Sequence, residues 1–218
     1  MRPVMVLPSL LSADFGRLAD ELARCQASGA RRIHVDVMDG VFVPNLTIGP
    51  PVVAALRKAT SLFLDVHLMI VNPLKHLKAF RDAGADAIMV HAEAVGPRDM
   101  AQAVDALRAT GAETGIAFNP DTDVMMWKTH IARVDAVMLM TVYPGFGGQG
   151  FIDAVRPRLR ALRAAFPALP IQVDGGINRE TVSLVTADGA DRLVCGNAFF
   201  NDPDPAAFLR WAEAHTAA

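Results

Sequence analysis

The sequence is poor in cysteine, in aromatic residues and in net charge. Only two cysteines, Cys25 and Cys195, occur among 218 residues, which is too few for the disulfide framework of a small secreted domain. Aromatic residues make up 6% of the chain and the formal net charge is -2, so neither base-stacking platforms nor a basic patch for nucleic acid is expected. We therefore predict a protein of the reducing cytoplasm that binds no nucleic acid.

Long apolar runs are also missing. No stretch of about 18 unbroken apolar residues occurs, and we expect no membrane-spanning helix. Pro3 and Pro8 interrupt the apolar N-terminal stretch and no small-residue cleavage site follows it, so a signal peptide is not expected. Apolar residues make up 52% of the chain, enough for a sizeable core, and we predict one catalytic domain over residues 1–218.

A weak internal repeat is present. The segments that begin at Gly29, Gly84 and Gly189 each read glycine, alanine, a charged residue and then an apolar run, and a shorter copy begins at Gly111. Each segment predicts a helix that ends at a glycine, followed by a buried parallel strand. In chain order these glycines are 55, 27 and 78 residues apart. These distances are two, one and three steps of about 27 residues, the length of one strand and one helix with their loops.

About eight such steps fill the chain, which predicts a single (β/α)8 barrel of the α/β class. The predicted strands lie near 4–8, 32–37, 62–68, 86–91, 113–118, 134–141, 170–174 and 191–195, with helices between them and after the last. A doubly wound open sheet is the alternative. Such a sheet carries its glycine fingerprint after the first strand, where this chain has residues 8–12 without glycine.

Polar side chains collect at the predicted carboxyl ends of the strands, where barrel active sites lie. His34 and Asp36 share one face of the second strand, His67 ends the third and Asp174 ends the seventh. Any one of these histidines would more often be a hydrogen-bonded core residue. Together, two imidazoles and two carboxylates predict a site for one divalent metal ion, Zn²⁺, Fe²⁺, Mn²⁺ or Co²⁺ rather than Mg²⁺ or Ca²⁺.

Glycines follow the last three predicted strands, at Gly147-Gly148, Gly175-Gly176 and Gly196 before Asn197. Bare backbone N–H groups can hold a phosphate without a basic side chain, and barrels commonly place a phosphate site after strands seven and eight. A simple turn is the alternative for any one pair. Three inward methionines near the mouth either fill the core or form an apolar wall beside the site: Met38, Met69 and Met140.

Six ordered motifs resemble those of the ribulose-phosphate 3-epimerase family, from about residue 7 to about residue 200. They read PSLLSADF from Pro8, HVDVMDG from His34, FVPN from Phe42, LDVHLM from Leu64, PGFGGQ from Pro144 and VDGGI from Val173. The resemblance implies a metal held by His34, Asp36, His67 and Asp174. It implies Asp36 and Asp174 as the acid/base pair on opposite faces of a small phosphorylated ketose.

The resemblance also implies that D-ribulose 5-phosphate and D-xylulose 5-phosphate are interconverted, as in pentose phosphate metabolism, and that the chain forms a homo-oligomer. The glycine loops are expected around the phosphate. The predicted substrate-binding residues are Ser9, Met38, His67, Met69, Met140, Gly145, Gly147, Gly148, Gly175, Gly176, Gly196 and Asn197.

Two residues depart from the family pattern. Tyr143 stands where asparagine is usual, and Asn197 stands where serine or another small residue is usual. Both lie beside loops that can select sugar length, so a 3-epimerase of a six-carbon ketose phosphate such as allulose 6-phosphate is the alternative. Gly148 favours the five-carbon substrate, because the allulose-phosphate family tends to replace this glycine.

Two further alternatives have less support. A lyase or decarboxylase on a similar barrel commonly uses a lysine at a strand end, whereas the lysines here are predicted in helices or loops: Lys58, Lys75, Lys78 and Lys128. A non-catalytic barrel that only binds phosphate or metal would not need the intact acid pair.

Overall fold

The computed structural model describes residues 2–217 and shows eight parallel strands that alternate with helices. The barrel strands are β2 (Met5–Pro8), β3 (Arg32–Met38), β4 (Phe63–Met69), β5 (Ala87–His91), β6 (Glu113–Phe118), β7 (Ala136–Met140), β8 (Ile171–Asp174) and β9 (Arg192–Cys195). Outside the barrel, β1 (Arg2–Pro3) pairs with β10 (Thr216–Ala217) in a small antiparallel sheet that the sequence did not predict.

The α-helices in the described part of the chain are α1 (Leu18–Ala27), α2 (Pro50–Ala59), α3 (Leu77–Asp82), α4 (Ala92–Val95), α5 (Met100–Ala109), α6 (Lys128–Ile131), α7 (Arg156–Ala165), α8 (Val182–Ala187), α9 (Asn197–Phe200) and α10 (Pro205–Glu213). Short 3₁₀ helices cover Leu10–Ser12, Phe15–Arg17, Pro73–Lys75, Val124–Trp127 and Asp153–Val155. Helix α10 shows the local rule: Pro205 fits its first turn, and the Asp204 carboxylate accepts the N–H of Ala207 at 2.9 Å.

The strands pair in the order β2-β9-β8-β7-β6-β5-β4-β3, all in parallel. A parallel bridge between Ser9 and His34 joins the two ends of this order and brings the segment after β2 against β3. The predicted (β/α)8 barrel is therefore confirmed. The predicted strand limits differ from the observed ones by no more than two residues.

The core consists of two layers because successive strand residues point to opposite faces. The residues of β3, β4 and β8 that alternate with the inward-facing polar residues belong to the large core cluster: Val35, Val37, Val66, Leu68 and Val173. A smaller cluster fills the barrel interior: Met89, Ala117, Ala136, Met138, Met140 and Val142. Burial of each valine, leucine or methionine side chain in these clusters contributes roughly 1.5–3 kcal/mol to stability.

The repeated glycines have the predicted left-handed backbone. Gly84 has φ 107° and Gly189 has φ 108°. A Cβ atom at Gly84 would lie 2.5 Å from Cγ of Arg57, and one at Gly189 would lie 2.6 Å from Cβ of Arg163. Arg163 uses this space to donate to the Gly189 carbonyl and to Asp191, both at 2.8–3.0 Å. The glycine thus ends the helix and also makes room for an arginine beneath it.

Charged residues at the amino-terminal end of the barrel form a structural cluster. The Glu113 carboxylate accepts from Arg32 at 2.8 and 3.1 Å and also from Arg192. The Arg32 guanidinium lies 3.7 Å from the centre of the Phe63 ring. Because barrel chemistry takes place at the other end, this cluster serves stability.

Cys25 and Cys195 are both buried and unpaired, as expected of small core residues. The lysines lie in helices, as predicted: Lys58 in α2, Lys75 in a 3₁₀ helix, Lys78 in α3 and Lys128 in α6. Among residues 2–217, no helix has the length and apolar character needed to cross a membrane.

Candidate functional site

Four residues at the carboxyl ends of β3, β4 and β8 converge. One donor atom each from His34, Asp36, His67 and Asp174 lies within 4.8 Å of the other three. Nε2 of His34 is 3.3 Å from Oδ1 of Asp36 and 3.8 Å from Oδ2 of Asp174. Nδ1 of His67 is 3.2 Å from Oδ1 of Asp36 and 3.8 Å from Oδ2 of Asp174. The fold therefore brings together the four residues that the sequence singled out.

The donor set fits a divalent metal ion. Nε2 of His34 is buried and has no hydrogen-bond partner among the described residues. Its other ring nitrogen, Nδ1, lies 2.7 Å from the Asp65 carboxylate, so Nδ1 carries the proton and Nε2 offers a lone pair. An unpartnered buried polar atom costs about 1–3 kcal/mol, a cost that a cation would remove. Two ring nitrogens with two carboxylates suit Zn²⁺, Fe²⁺, Mn²⁺ or Co²⁺.

Asp65 orients His34, and the sequence did not identify it as a site residue. Its Oδ2 accepts from Gln172 at 2.8 Å as well as from His34. Burial would raise the pKa of Asp65, but these two hydrogen bonds and the positive charge of Arg192 leave it below the usual value. The signal in the sequence was the alternation of side chains along a strand, which places Asp65 on the same face of β4 as His67.

The two aspartates have opposite electrostatic environments. Although burial alone would raise it, the pKa of Asp36 is held well below its usual range by His34 and His67. Ser9 adds a hydrogen bond, with Oγ donating to Oδ2 of Asp36 at 2.7 Å. Burial and the negative charge of Asp36 raise the pKa of Asp174 to about 7. Carboxyl groups whose pKa values are driven apart are typical of an acid/base pair.

His67 is suited to act as a neutral ligand. Burial lowers its pKa to about 4, against the opposing effect of its hydrogen bond to Asp36. At neutral pH the imidazole is therefore uncharged, the form that binds a metal.

A cavity of about 360 Å³ opens at this end of the barrel. The predicted site residues that line it are Ser9, Asp36, Met38, Met69, Met140, Gly145, Gly147, Gly148, Asp174, Gly176, Gly196 and Asn197. Ser12, Gln149 and Asn178 also line it. Ser12 and Gln149 belong to motifs that resemble those of the family. None of the three residues lies on a strand, so the alternation of side chains along strands did not identify them.

Two predicted substrate-binding residues, His67 and Gly175, do not line the cavity. His67 is fully buried because its ring lies below the cavity floor, against His34 and His91. Gly175 has φ 114°, and a Cβ atom there would lie 2.8 Å from Cγ1 of Val142, so this glycine permits close packing of β8 on the segment after β7. The substrate contacts of all the named residues stay predictions.

The glycine side of the cavity can bind an anion through the backbone. No lysine or arginine of the described chain lines the cavity. The backbone N–H groups of Gly147, Gly148 and Gly176 donate no hydrogen bond to any of the described residues. Free N–H groups on adjacent loops are a typical phosphate-binding arrangement.

Side-chain hydrogen bonds hold the loop after β7. Nε2 of Gln149 donates to the carbonyls of Tyr143 at 2.7 Å and Phe146 at 2.8 Å. Nδ2 of Asn45, in the loop after β3, donates to the Gly145 carbonyl at 2.8 Å. Tyr143 and Phe146 remain more than half exposed, so the outer side of the loop is free of packing.

Asp39 joins the loops that follow β3 and β4. Its Oδ1 accepts the N–H groups of Val41 and Phe42, both at 2.9 Å, and its Oδ2 accepts the N–H of Val71 at 2.7 Å. Partial burial would raise the pKa of Asp39, but these backbone donors lower it below the usual value.

We expect Asp39→Asn to lower the free energy of unfolding at pH 7 by about 1 kcal/mol, since the amide NH₂ would face the N–H of Val71. Because the folded pKa is depressed, the stability that Asp39 contributes is present above the unfolded pKa of about 4. That stability is lost as the pH falls through the folded value. Urea unfolding of both proteins from pH 7 to pH 3 measures the effect. A difference that stayed constant over this range would contradict the assignment.

Comparison with known proteins agrees with the geometry. The Ribulose-phosphate 3 epimerase family matches residues 5–200. A ribulose-phosphate 3-epimerase of Bacillus subtilis (strain 168) is 44% identical over 206 residues, which cover 92% of this chain and 94% of that protein. One of Synechocystis sp. is 44% identical over 205 residues, covering 92% and 89%. The crystal structure of a 3-hexulose-6-phosphate synthase superposes with a TM-score of 0.69 at 23% identity, covering 99% of this chain and 100% of that one, a likeness of fold alone.

Proposed function

This chain belongs to the ribulose-phosphate 3-epimerase family, and from that premise we propose that it interconverts D-ribulose 5-phosphate and D-xylulose 5-phosphate by proton transfer at C3. The observation that carries the proposal is the carboxyl pair at the cavity floor. Asp36 and Asp174 both line the cavity, one with a depressed pKa and the other with a pKa raised to about 7.

Inversion at a carbon beside a carbonyl requires proton removal from one face and proton delivery to the other. One side chain cannot easily reach both faces, which accounts for two carboxyl groups. We assign Asp36, held ionised by His34 and His67, as the base toward one epimer. We assign Asp174, whose pKa is raised to about 7, as the acid on the opposite face. The roles exchange in the reverse direction.

The residues that would hold the metal are His34, Asp36, His67 and Asp174. When bound, the cation supplies positive charge beside the substrate oxygens that become negative as the proton leaves C3. The chain itself orients the reacting carboxyl groups. Ser9 binds Oδ2 of Asp36, which leaves Oδ1 toward the two histidines.

The rest of the cavity would bind and shield the substrate. The free N–H groups of Gly147, Gly148 and Gly176 are the proposed phosphate donors. Met38, Met69 and Met140 form an apolar wall on the cavity that excludes water from the reacting carbon. The loop after β7 would close over the phosphate end.

The test is proton NMR of D-ribulose 5-phosphate with the purified protein in D₂O. We expect D-xylulose 5-phosphate to appear with deuterium at C3, because the proton that returns comes from a carboxyl group in exchange with solvent. No exchange with metal-loaded protein would contradict the proposal. The next substrate to test would be allulose 6-phosphate, since Asn197 lies on the cavity wall.

Four properties that the sequence indicates stay predictions. These are the single catalytic domain over residues 1–218, the cytoplasmic location, the homo-oligomer and the identity of the divalent metal. Competition between five- and six-carbon ketose phosphates decides the substrate length.

A further inference from the structure

A second hydrogen-bonded chain lies behind His67, on the side away from the carboxyl pair. Nδ1 of His67 faces Asp36 at 3.2 Å, whereas Nε2 of His67 lies 2.8 Å from Nε2 of His91. Nδ1 of His91 lies 3.1 Å from Oε2 of Glu93. Both histidines are fully buried, and their rings stack with centroids 4.9 Å apart. The chain therefore runs from Glu93 through His91 to the inner imidazole.

Proton counting allows two arrangements of this chain. A neutral imidazole carries one N–H, and two Nε2 atoms in hydrogen-bond contact share one proton. In the first arrangement His67 donates from Nε2 to His91, His91 donates from Nδ1 to Glu93, and Nδ1 of His67 keeps a lone pair toward the aspartates, a contact that is favourable only with a cation between them. In the second, His91 donates from Nε2, and His67 must carry its proton on Nδ1. Only the first leaves His67 a lone pair for a metal.

The surroundings of Glu93 select the first arrangement. Its Oε1 accepts the backbone N–H of Asn119 at 2.9 Å and the hydroxyl of Thr122. A carboxylate only accepts, so Oε2 must receive the proton from Nδ1 of His91. The Phe42 ring packs on His91 with centroids 4.9 Å apart, which limits access of water to the chain.

We propose that Glu93 is a positioning residue that acts through His91 to keep the proton of His67 on Nε2, so that Nδ1 faces the metal. This inference rests on the proposed metal site. His34 also needs one nitrogen free for the metal. Asp65 accepts the proton of its Nδ1 directly, which leaves Nε2 free. Each ligating imidazole thus has its own carboxylate acceptor, a fully buried Asp65 for His34 and a partly exposed Glu93 that acts through His91 for His67, and acceptors of this kind fix tautomers in metal sites.

The variant that tests this role is Glu93→Gln. The backbone N–H of Asn119 cannot reverse its direction, so it requires the new side-chain carbonyl oxygen. The amide NH₂ then faces Nδ1 of His91 and reverses both imidazoles. We expect ¹⁵N NMR of the full chain in the presence of Zn²⁺ to show His67 protonated on Nε2 in the wild type and on Nδ1 in Glu93→Gln. We expect Co²⁺ affinity, followed by visible absorption, to fall about 10- to 100-fold.

Glu21→Gln is the matched control. Glu21 pairs with Arg24 at 3.5 Å on α1 and does not line the cavity, so the same loss of one charge should leave the tautomer and the Co²⁺ affinity unchanged. Glu93→Gln with wild-type tautomer and affinity would overturn the proposal. So would a wild-type His67 protonated on Nδ1, a result that needs no variant to fold.

Co²⁺ binding separates the two claims. If the wild type does not bind Co²⁺, the proposed metal site fails. If the wild type binds Co²⁺ and Glu93→Gln binds it equally well, the positioning role of Glu93 fails instead.

Discussion

Replacement of either Asp36 or Asp174 by asparagine is expected to reduce turnover by about 10³-fold or more, with the barrel intact. An amide can neither accept nor deliver the C3 proton at neutral pH. A positioned acid or base alone contributes about 10²–10⁴-fold, and each variant also removes one carboxylate from the donor set. Steady-state rates, metal content and circular dichroism together make the measurement.

Asp82→Asn is the control for this pair. Asp82 is exposed on α3 and pairs with Lys78 at 2.6 Å, so its replacement should leave turnover unchanged.

Exchange of the C3 proton for deuterium, measured without inversion of C3, distinguishes the two acids. A variant that keeps one carboxyl group can still exchange C3 of the epimer that faces it, so Asp36→Asn and Asp174→Asn should leave exchange in opposite ketoses. Either variant with more than about a tenth of the wild-type rate would contradict the two-acid assignment.

Removal of the metal is expected to abolish turnover, by at least about 100-fold, and Zn²⁺, Mn²⁺ or Co²⁺ should restore it. Enzymes commonly accelerate reactions by about 10⁶-fold or more, or about 8 kcal/mol. Proton transfer by the aspartates supplies about 10²–10⁴-fold, so charge stabilisation must account for the remainder. His34 offers a buried lone pair with no other partner, and we therefore expect no comparable recovery with Mg²⁺.

The measurement is the rate after dialysis against dipicolinate, with residual metal counted by mass spectrometry, and then again after each ion is added back. Thermal unfolding provides a second readout. The loaded protein should melt at a higher temperature, because a cation that binds only the folded state stabilises it. Metal-free protein that turned over at more than a tenth of the original rate would exclude a metal-dependent mechanism.

The barrel could be predicted from the sequence because its information is local and periodic. A glycine such as Gly84 or Gly189 ends a helix wherever it occurs, and the alternation of side chains along a strand follows from backbone geometry alone. The small sheet of β1 and β10 was missed for the opposite reason. It pairs two-residue segments from the two ends of the described chain, too short to have a period.

The site residues that lie on strands could be predicted, because side chains alternate between the two faces of a strand. His34, Asp36 and His67 lie on inward faces of strands, and the fold rule that barrel strands end at one mouth brings such residues together. Ser12 and Asn178 were missed because loop residues have no fixed direction. His67 is fully buried and does not line the cavity, because the depth of a side chain along the barrel axis depends on its packed neighbours, and its contact with the sugar stays a prediction.

By itself, the sequence determined the number of βα units, the end of the barrel at which buried polar side chains converge, and the residue types of the cluster that could hold a metal. These follow from local backbone preferences and from the cost of burying polar groups without partners. Only the tertiary structure decided which nitrogen of each histidine faces inward, which aspartate has a lowered pKa and which a raised one, and that Glu93 reaches His67 through His91. The physical reason is that proton positions and pKa values depend on distances of a few ångströms between residues far apart in the chain, which no local pattern records.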